Sequence, residues 1–524
     1  MDKLREKFEK NKEWLCFSLA ATFLWGLLAH AYCFFDNSFS HDSLNELHGA
    51  IFGSDWKIEL GRIFVPFYRD LLRSDATLPW LIGILSLFWI GLAVFFVVRI
   101  FHIQSKPFVF LIAGIFSTNV TVAATAATYL HDLDCYMFSL LCAVIAVYAW
   151  NRYSWGAAVG AVVVAVSLGL YQGFISTSIV LIMFVCILDL LNEQRFKTVF
   201  FRGLKAIGML LLGGALYYAF MQIVLKLTHI TLAANDYNTL DKVFKLTPQT
   251  FVAMTMGAYA DWFERVMNAD SSYPSIMIKG ITVILLLISA IAIFTGLRNR
   301  NIRWPEKLLC IVLIGLLPMG MNLLYILTIG SSHDLMIYAI WLIYLLVLLL
   351  GDWLATQGKR TGRFCAKMKI GELLNGICIL LVFLLMYGNV QFTNGMYLKK
   401  DQEYDAYLSL MTRVVYRMEN HEGYVPQETT VLFAGLPDNL NEIIPGFKEY
   451  RNVTGMLSTD VIYMAQRDRF QAYFDYVLGT PIKLLEEDAW NHMQIDPRIA
   501  DMPCYPSEGC IAVIDDVLVV KLGE

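Results

Sequence analysis

Along most of this chain, apolar runs long enough to cross a bilayer alternate with short connections, and Lys and Arg gather in alternate connections. The runs fall at 14–35, 78–101, 107–128, 133–150, 153–170, 174–191, 206–227, 276–297, 308–330, 335–354 and 371–391. About 20 consecutive apolar residues suffice for a transmembrane helix. Within a bilayer only helices and closed barrels satisfy every backbone polar group. The chain therefore reads as an all-α polytopic membrane protein with about eleven spans.

Charge fixes the expected orientation. Lys3, Arg5, Lys7, Lys10 and Lys12 precede the first run, which has no small-residue cleavage site after a short apolar core and so reads as a retained span. Arg99 and Lys106, Arg152, Arg195 through Lys205, Arg298 through Lys307, and Lys359 through Lys369 fall in connections on the same side as the N-terminus. The connections around His131, Gln172 and Ser331 carry no Lys or Arg. This asymmetry places the N-terminus in the cytoplasm and residues 36 onward outside.

Composition agrees. Hydrophobic residues make up 57% and charged residues 16%, against about 25% charged in soluble domains. A soluble multidomain enzyme, a disordered chain and a disulfide scaffold are excluded. The net charge of -4 offers no basic footprint for nucleic acid.

Three outside pieces exceed a turn: 36–77, 228–275 and 392–524. The first two mix Trp56, Ile58, Ile63, Phe64 and Phe67, then Phe251, Met254, Trp262 and Phe263, among charges, as interfacial amphipathic helices do. The expected domains are 1–391, in the membrane, and 392–524, a small extracytoplasmic α/β unit with a helix near 404–418 and strands near 430–434 and 511–520. Cys504 and Cys510 allow either a short-loop disulfide or two thiols. Gly156, Gly160, Gly213 and Gly214 are expected to permit close helix approach.

The candidate chemistry lies at the outside ends of the spans. The first outside loop carries Asp36, His41 and Asp42, followed by Gly61-Arg62. A carboxylate can take a proton from a hydroxyl within hydrogen-bond reach, and a guanidinium fork suits phosphate. The plainer account is that Asp36 and Asp42 cap interfacial helices and Arg62 snorkels to headgroups. His131-Asp132-Leu133-Asp134, Tyr171-Gln172 and His333-Asp334 open on the same side. The His and Asp residues have types that suit a divalent metal, but no ligand spacing supports one, and no cofactor is expected. Walker, GxGxxG and GxSxG patterns are not found.

Asp42, Gly61-Arg62, the acidic junction at Asp132 or Asp134, and Ser167-Leu168-Gly169-Leu170-Tyr171-Gln172 occur in an order and on a side that resemble the membrane glucosyltransferase family of O-antigen modification, the Gtr type II group. The exported tail is similar too. The junction at 131–134 departs from the Glu-rich or Tyr-Arg-containing version expected there. The resemblance implies a GT-C fold, a polyprenyl-phosphate-linked hexose donor and a cell-envelope glycan acceptor, at the outer face of the cytoplasmic membrane. Asp42, or else Asp36, would be the base of an inverting transfer, and Arg62 with Gly61 would hold the donor phosphate. His41, Asp132, Asp134, Tyr171, Gln172 and His333 would meet substrate. Two other classes compete: a flippase for a lipid-linked glycan, which calls for polar groups at mid-membrane in two related halves, and a non-catalytic assembly subunit, in which Asp42 would be replaceable.

Overall fold

The computed structural model describes residues 2–36, 44, 54–74, 76–233, 242, 246–267, 276–299, 301–360, 365–436 and 467–523. His41 and Asp42 lie outside these residues. Among them, 10 helices are long and apolar enough to cross a membrane, and the shorter apolar helix Gly156–Leu170 occupies the fifth expected run. The protein is an all-α polytopic membrane protein with a small C-terminal sheet.

Local sequence explains where the helices start and break. Proline stands in the first turn of Pro79–Ile100, Lys106–Ser117 and Trp304–Met321, where its missing N–H costs nothing. The third run is two helices, because Asn119 turns its side chain to accept the Val122 N–H at 3.2 Å and so caps Val120–Thr128. Helix Phe196–Thr228 starts ahead of its apolar run, so Lys197, Arg202 and Lys205 are helical. The basic connections form a network of their own: Lys106 pairs with Glu13 at 2.8 Å, and Arg202 bonds Asp189 and Asn151 while lying over the Trp150 ring.

Helices Asp2–Phe35, Pro79–Ile100, Leu133–Arg152, Gly156–Leu170 and Phe196–Thr228 pack in series, each against the next. A side chain at Gly156 would meet the Ala149 carbonyl, one at Gly160 the Met209 sulfur, and one at Gly213 would lie 2.6 Å from Val164 Cγ1. Gly214 differs from expectation, since a Cβ there meets nothing within 4 Å. Overpacking costs about 1–3 kcal/mol, so Gly213→Ala is expected to lower the thermal midpoint in detergent and Gly214→Ala to leave it unchanged. Equal midpoints for the two variants would contradict this packing.

The last span does not stop at residue 391. Helix Cys365–Glu419 is continuous over 55 residues, about 80 Å at 1.5 Å per residue. It carries the chain from the membrane core, where Met396 and Tyr397 are buried, into a second core built on Tyr407, Met411, Val414 and Met418. These four repeat at helical spacing and face a four-stranded sheet of order β2-β1-β4-β3, with β1 Thr430–Ala434, β2 Lys483–Leu484, β3 Ile511–Ile514 and β4 Val517–Lys521. Strand β1 runs parallel to β2 and β4, while β3 and β4 form an antiparallel hairpin. The expected strand at 511–520 is thus two strands. Asp515 and Asp516 have φ of 51° and 62° and make the two-residue turn between them. Cys504 and Cys510 are both free thiols.

Candidate functional site

The junctions at 130–134, 171–172 and 333–334 meet around the loop at 54–74. Helix Ser54–Glu59 ends where Gly61, at φ 75°, donates its N–H to Ile58 O at 2.8 Å and Arg62 donates to Lys57 O at 2.8 Å. That pair of bonds is a Schellman cap, and its left-handed residue is the one glycine favours. The Gly-Arg pair is therefore a helix end that throws the next side chain, Arg62, in a fixed direction. Gly61→Ala should cost about 1 kcal/mol through the positive φ; an unchanged thermal midpoint would contradict the cap. Phe64 N–H then bonds Gly169 O at 2.9 Å, and Val65–Leu72 runs on as a short helix.

Three cations of this loop reach the acidic junction at 130–134. Lys57 Nζ lies 2.7 Å from Asp132 Oδ2, and Arg69 Nη2 lies 2.6 Å from Asp132 Oδ1. Tyr136 OH donates to Asp132 Oδ2 at 3.0 Å. Arg73 Nε lies 2.8 Å from Asp134 Oδ2, and its other nitrogens bond the carbonyls of His131, Ser74 and Ala76. Lys57, Arg69, Arg73, Asp132 and Asp134 are all buried. Carboxylates buried at a membrane end are stable only when paired in this way. The oxygens expected to meet substrate at Asp132 and Asp134 are thus engaged by the chain's own cations.

Arg62 stands apart from this pairing. Its guanidinium lies over the rings of Tyr136 and Tyr171, 5.3 Å and 5.2 Å from their centroids, and it donates one hydrogen bond, to Tyr136 OH. The two rings stack with centroids 4.2 Å apart. Its buried Nε has no hydrogen-bond partner, and no carboxylate among the described residues pairs with it. Burial works against its charge, but the hydroxyls of Tyr136 and Tyr171 and the Asp132 carboxylate outweigh burial and hold its proton more tightly than usual. Burial pushes the Tyr171 phenol up, so both partners keep these states at neutral pH. Arg62 is a permanent, half-buried cation with donors to spare.

The remaining expected residues fall around this centre. Gln172 Nε2 donates to Leu60 O at 3.2 Å and to Tyr217 OH at 3.0 Å, so its amide holds the loop. Tyr171 OH reaches Leu335 O at 3.3 Å, linking the site to the junction of His333 and Asp334. Asp334 pairs with Arg265 at 2.9 Å, which ties helix Pro248–Met267 to that junction. His333 is half-buried, and burial pushes its pKa down, leaving a neutral imidazole. Asp36 ends the first helix with a buried Oδ2 that has no hydrogen-bond partner. Among the described residues, no three His, Cys, Asp or Glu side chains group as metal ligands.

Sequence reasoning missed Lys57, Arg69, Arg73, Tyr136 and Tyr217. The signal was present for three of them. Lys57, Arg69 and Arg73 are basic residues on a loop beside short junctions that carry Asp but no Lys or Arg, and carboxylates at a span end ask for a counter-charge.

Comparison with curated proteins and with solved structures gives no match. A family model described as "Glucosyl transferase GtrII" matches residues 31–350, more than half of the chain, and spans every junction residue described above. The order of motifs in the sequence and this match agree, and the chain belongs to the glucosyl transferase GtrII family.

Proposed function

We propose that this glucosyltransferase moves a glucosyl unit from a polyprenyl-phosphate carrier to a hydroxyl of a cell-envelope glycan, at the outer face of the cytoplasmic membrane. The observation that carries the reading is Arg62, a fixed cation with open donors and no carboxylate partner among the described residues, set where the spans end. A phosphate on a lipid carrier sits at that depth, and a guanidinium fork suits its oxygens.

In the transfer, a carboxylate takes the acceptor hydroxyl proton and the freed oxygen forms a bond to the anomeric carbon. The bond from that carbon to the phosphate oxygen breaks on the opposite face, so configuration inverts. Polyprenyl phosphate leaves with the electron pair and needs no proton from a partner acid. Arg62 neutralises the charge gathering on the departing phosphate, a task best done by a pre-placed donor. Asp42 is assigned the base, with Asp36 second. Asp132 suits that role poorly, because Lys57, Arg69 and Tyr136 occupy both its oxygens. His41 and His333 are assigned to acceptor hydroxyls, and the spans to a GT-C arrangement with the N-terminus cytoplasmic and the C-terminal sheet outside.

Asp42→Asn and Asp36→Asn, at matched protein levels, separate the two bases. The expected result is loss of transfer by about 10²–10⁴-fold in Asp42→Asn with donor binding retained. Full activity in both variants would remove this base assignment.

A further inference from the structure

Two spans grip the helix end that aims Arg62. Tyr217, on helix Phe196–Thr228, donates its hydroxyl proton to Gly61 O at 2.9 Å. Gln172, at the start of the turn Gln172–Phe174, spends both amide hydrogens on the same brace, one on Leu60 O at 3.2 Å and one on Tyr217 OH at 3.0 Å. The Leu60 carbonyl at the helix end and the Gly61 carbonyl just past it have no intrahelical donor. Here both are met by side chains from other helices rather than by water.

The same segment is held from below. Ile58 and Ile63, on either side of the cap, are buried with Ala165, Tyr217 and Met221. A Cβ on Gly169 would run into the Phe64 ring, so the loop sits directly on the end of helix Gly156–Leu170. The apolar contacts fix the depth of the segment. The brace fixes its rotation, because it holds two successive carbonyls at the residues just before Arg62.

Among the described residues Arg62 has little else to orient it: one hydrogen bond to Tyr136 and two ring faces, with no ion pair. Ring faces tolerate sliding, since the attraction depends on distance to the ring centroid and not on a directed bond. The direction of the guanidinium therefore depends on its backbone, and the backbone depends on Tyr217 and Gln172.

We propose that Tyr217, together with Gln172, is a positioning residue for Arg62: it holds the Gly61-Arg62 turn so that the guanidinium meets the donor phosphate. This rests on the function proposed above. Neither side chain touches substrate in this account. Misplacement of a catalytic group by about 1 Å can cost as much as 10²-fold, and losing the two hydrogen bonds of the Tyr217 hydroxyl, at a second remove from the phosphate, should cost less.

The test is a double-mutant cycle on the purified full-length protein, with polyprenyl-phosphate-glucose as the probe and incubation long enough to quantify slow variants. Tyr217→Phe keeps the ring in its apolar contacts and removes only the hydroxyl. It should lower transfer roughly five- to tenfold in the wild-type background and less than twofold in the Arg62→Gln background, while the thermal midpoint falls by the same small amount in both backgrounds. Gln172→Ala should show the same pattern. An equal loss in both backgrounds would mean that Tyr217 acts independently of Arg62, as a structural residue would, and would overturn the proposal. So would full activity of Tyr217→Phe beside an inactive Arg62→Gln. If Arg62→Gln itself transfers at the wild-type rate, the failure belongs to the proposed role of Arg62 instead.

Discussion

Arg62→Gln is expected to lower glucosyl transfer by about 10²–10³-fold, the usual effect of removing one pre-placed donor to developing negative charge. Stability should change little, because Arg62 neutralises no carboxylate among the described residues and its removal strands none of them. The loss is confined to two ring contacts and one hydrogen bond to Tyr136, worth about 1–2 kcal/mol at most. Tyr136 keeps its bond to Asp132. Arg62→Lys should recover part of the rate, since an ammonium retains the charge without the fork. A folded Arg62→Gln protein with normal transfer would show that the phosphate is held elsewhere.

Asp132→Ala should have the opposite profile, a loss of folded protein before any loss of specific activity. Both oxygens of Asp132 are engaged, by Lys57 and Arg69 on one loop and by Tyr136 on the following helix. Removing one partner of a buried ion pair leaves uncompensated charge and costs about 3–5 kcal/mol. The thermal midpoint in detergent should fall by several degrees, and the loop at 54–74 should become open to proteolysis. Asp132→Asn should be intermediate, because the amide oxygen still accepts one bond. A midpoint equal to wild type in Asp132→Ala would show that the cluster is not what fastens the loop to the spans.

How much of this was legible in the sequence follows from which forces act locally. The spans were legible because bilayer thickness sets a length that a window of residues either meets or does not. Their ends were softer. Nothing at 392 breaks the helix, so the last span runs into the C-terminal sheet region, where Tyr407, Met411, Val414 and Met418 give it a second core. The apolar stretch at 511–520 concealed a turn, since Asp515-Asp516 is a two-residue connection with no glycine.

At the site, the convergence of the junctions was legible from their shared side, and the Gly-Arg pair stood out by its motif. The partners did not. Asp132 and Lys57 are 75 positions apart, and only the packing of the spans brings them together. Gly61 and Tyr217 are 156 positions apart, and a tyrosine within an apolar span carries no mark of the carbonyl it will meet. The acidic junction is visible in the sequence without its counter-charges, because these lie on another loop.

The claim that the donor is lipid-linked is tested most directly by offering the purified protein two radiolabelled donors in parallel, polyprenyl-phosphate-glucose and a nucleotide-linked glucose, with a membrane glycan acceptor. The expected result is transfer from the lipid-linked donor alone, with inverted configuration at the anomeric carbon of the product. Transfer from the nucleotide sugar in the absence of the lipid-linked donor, or retained configuration, would contradict it.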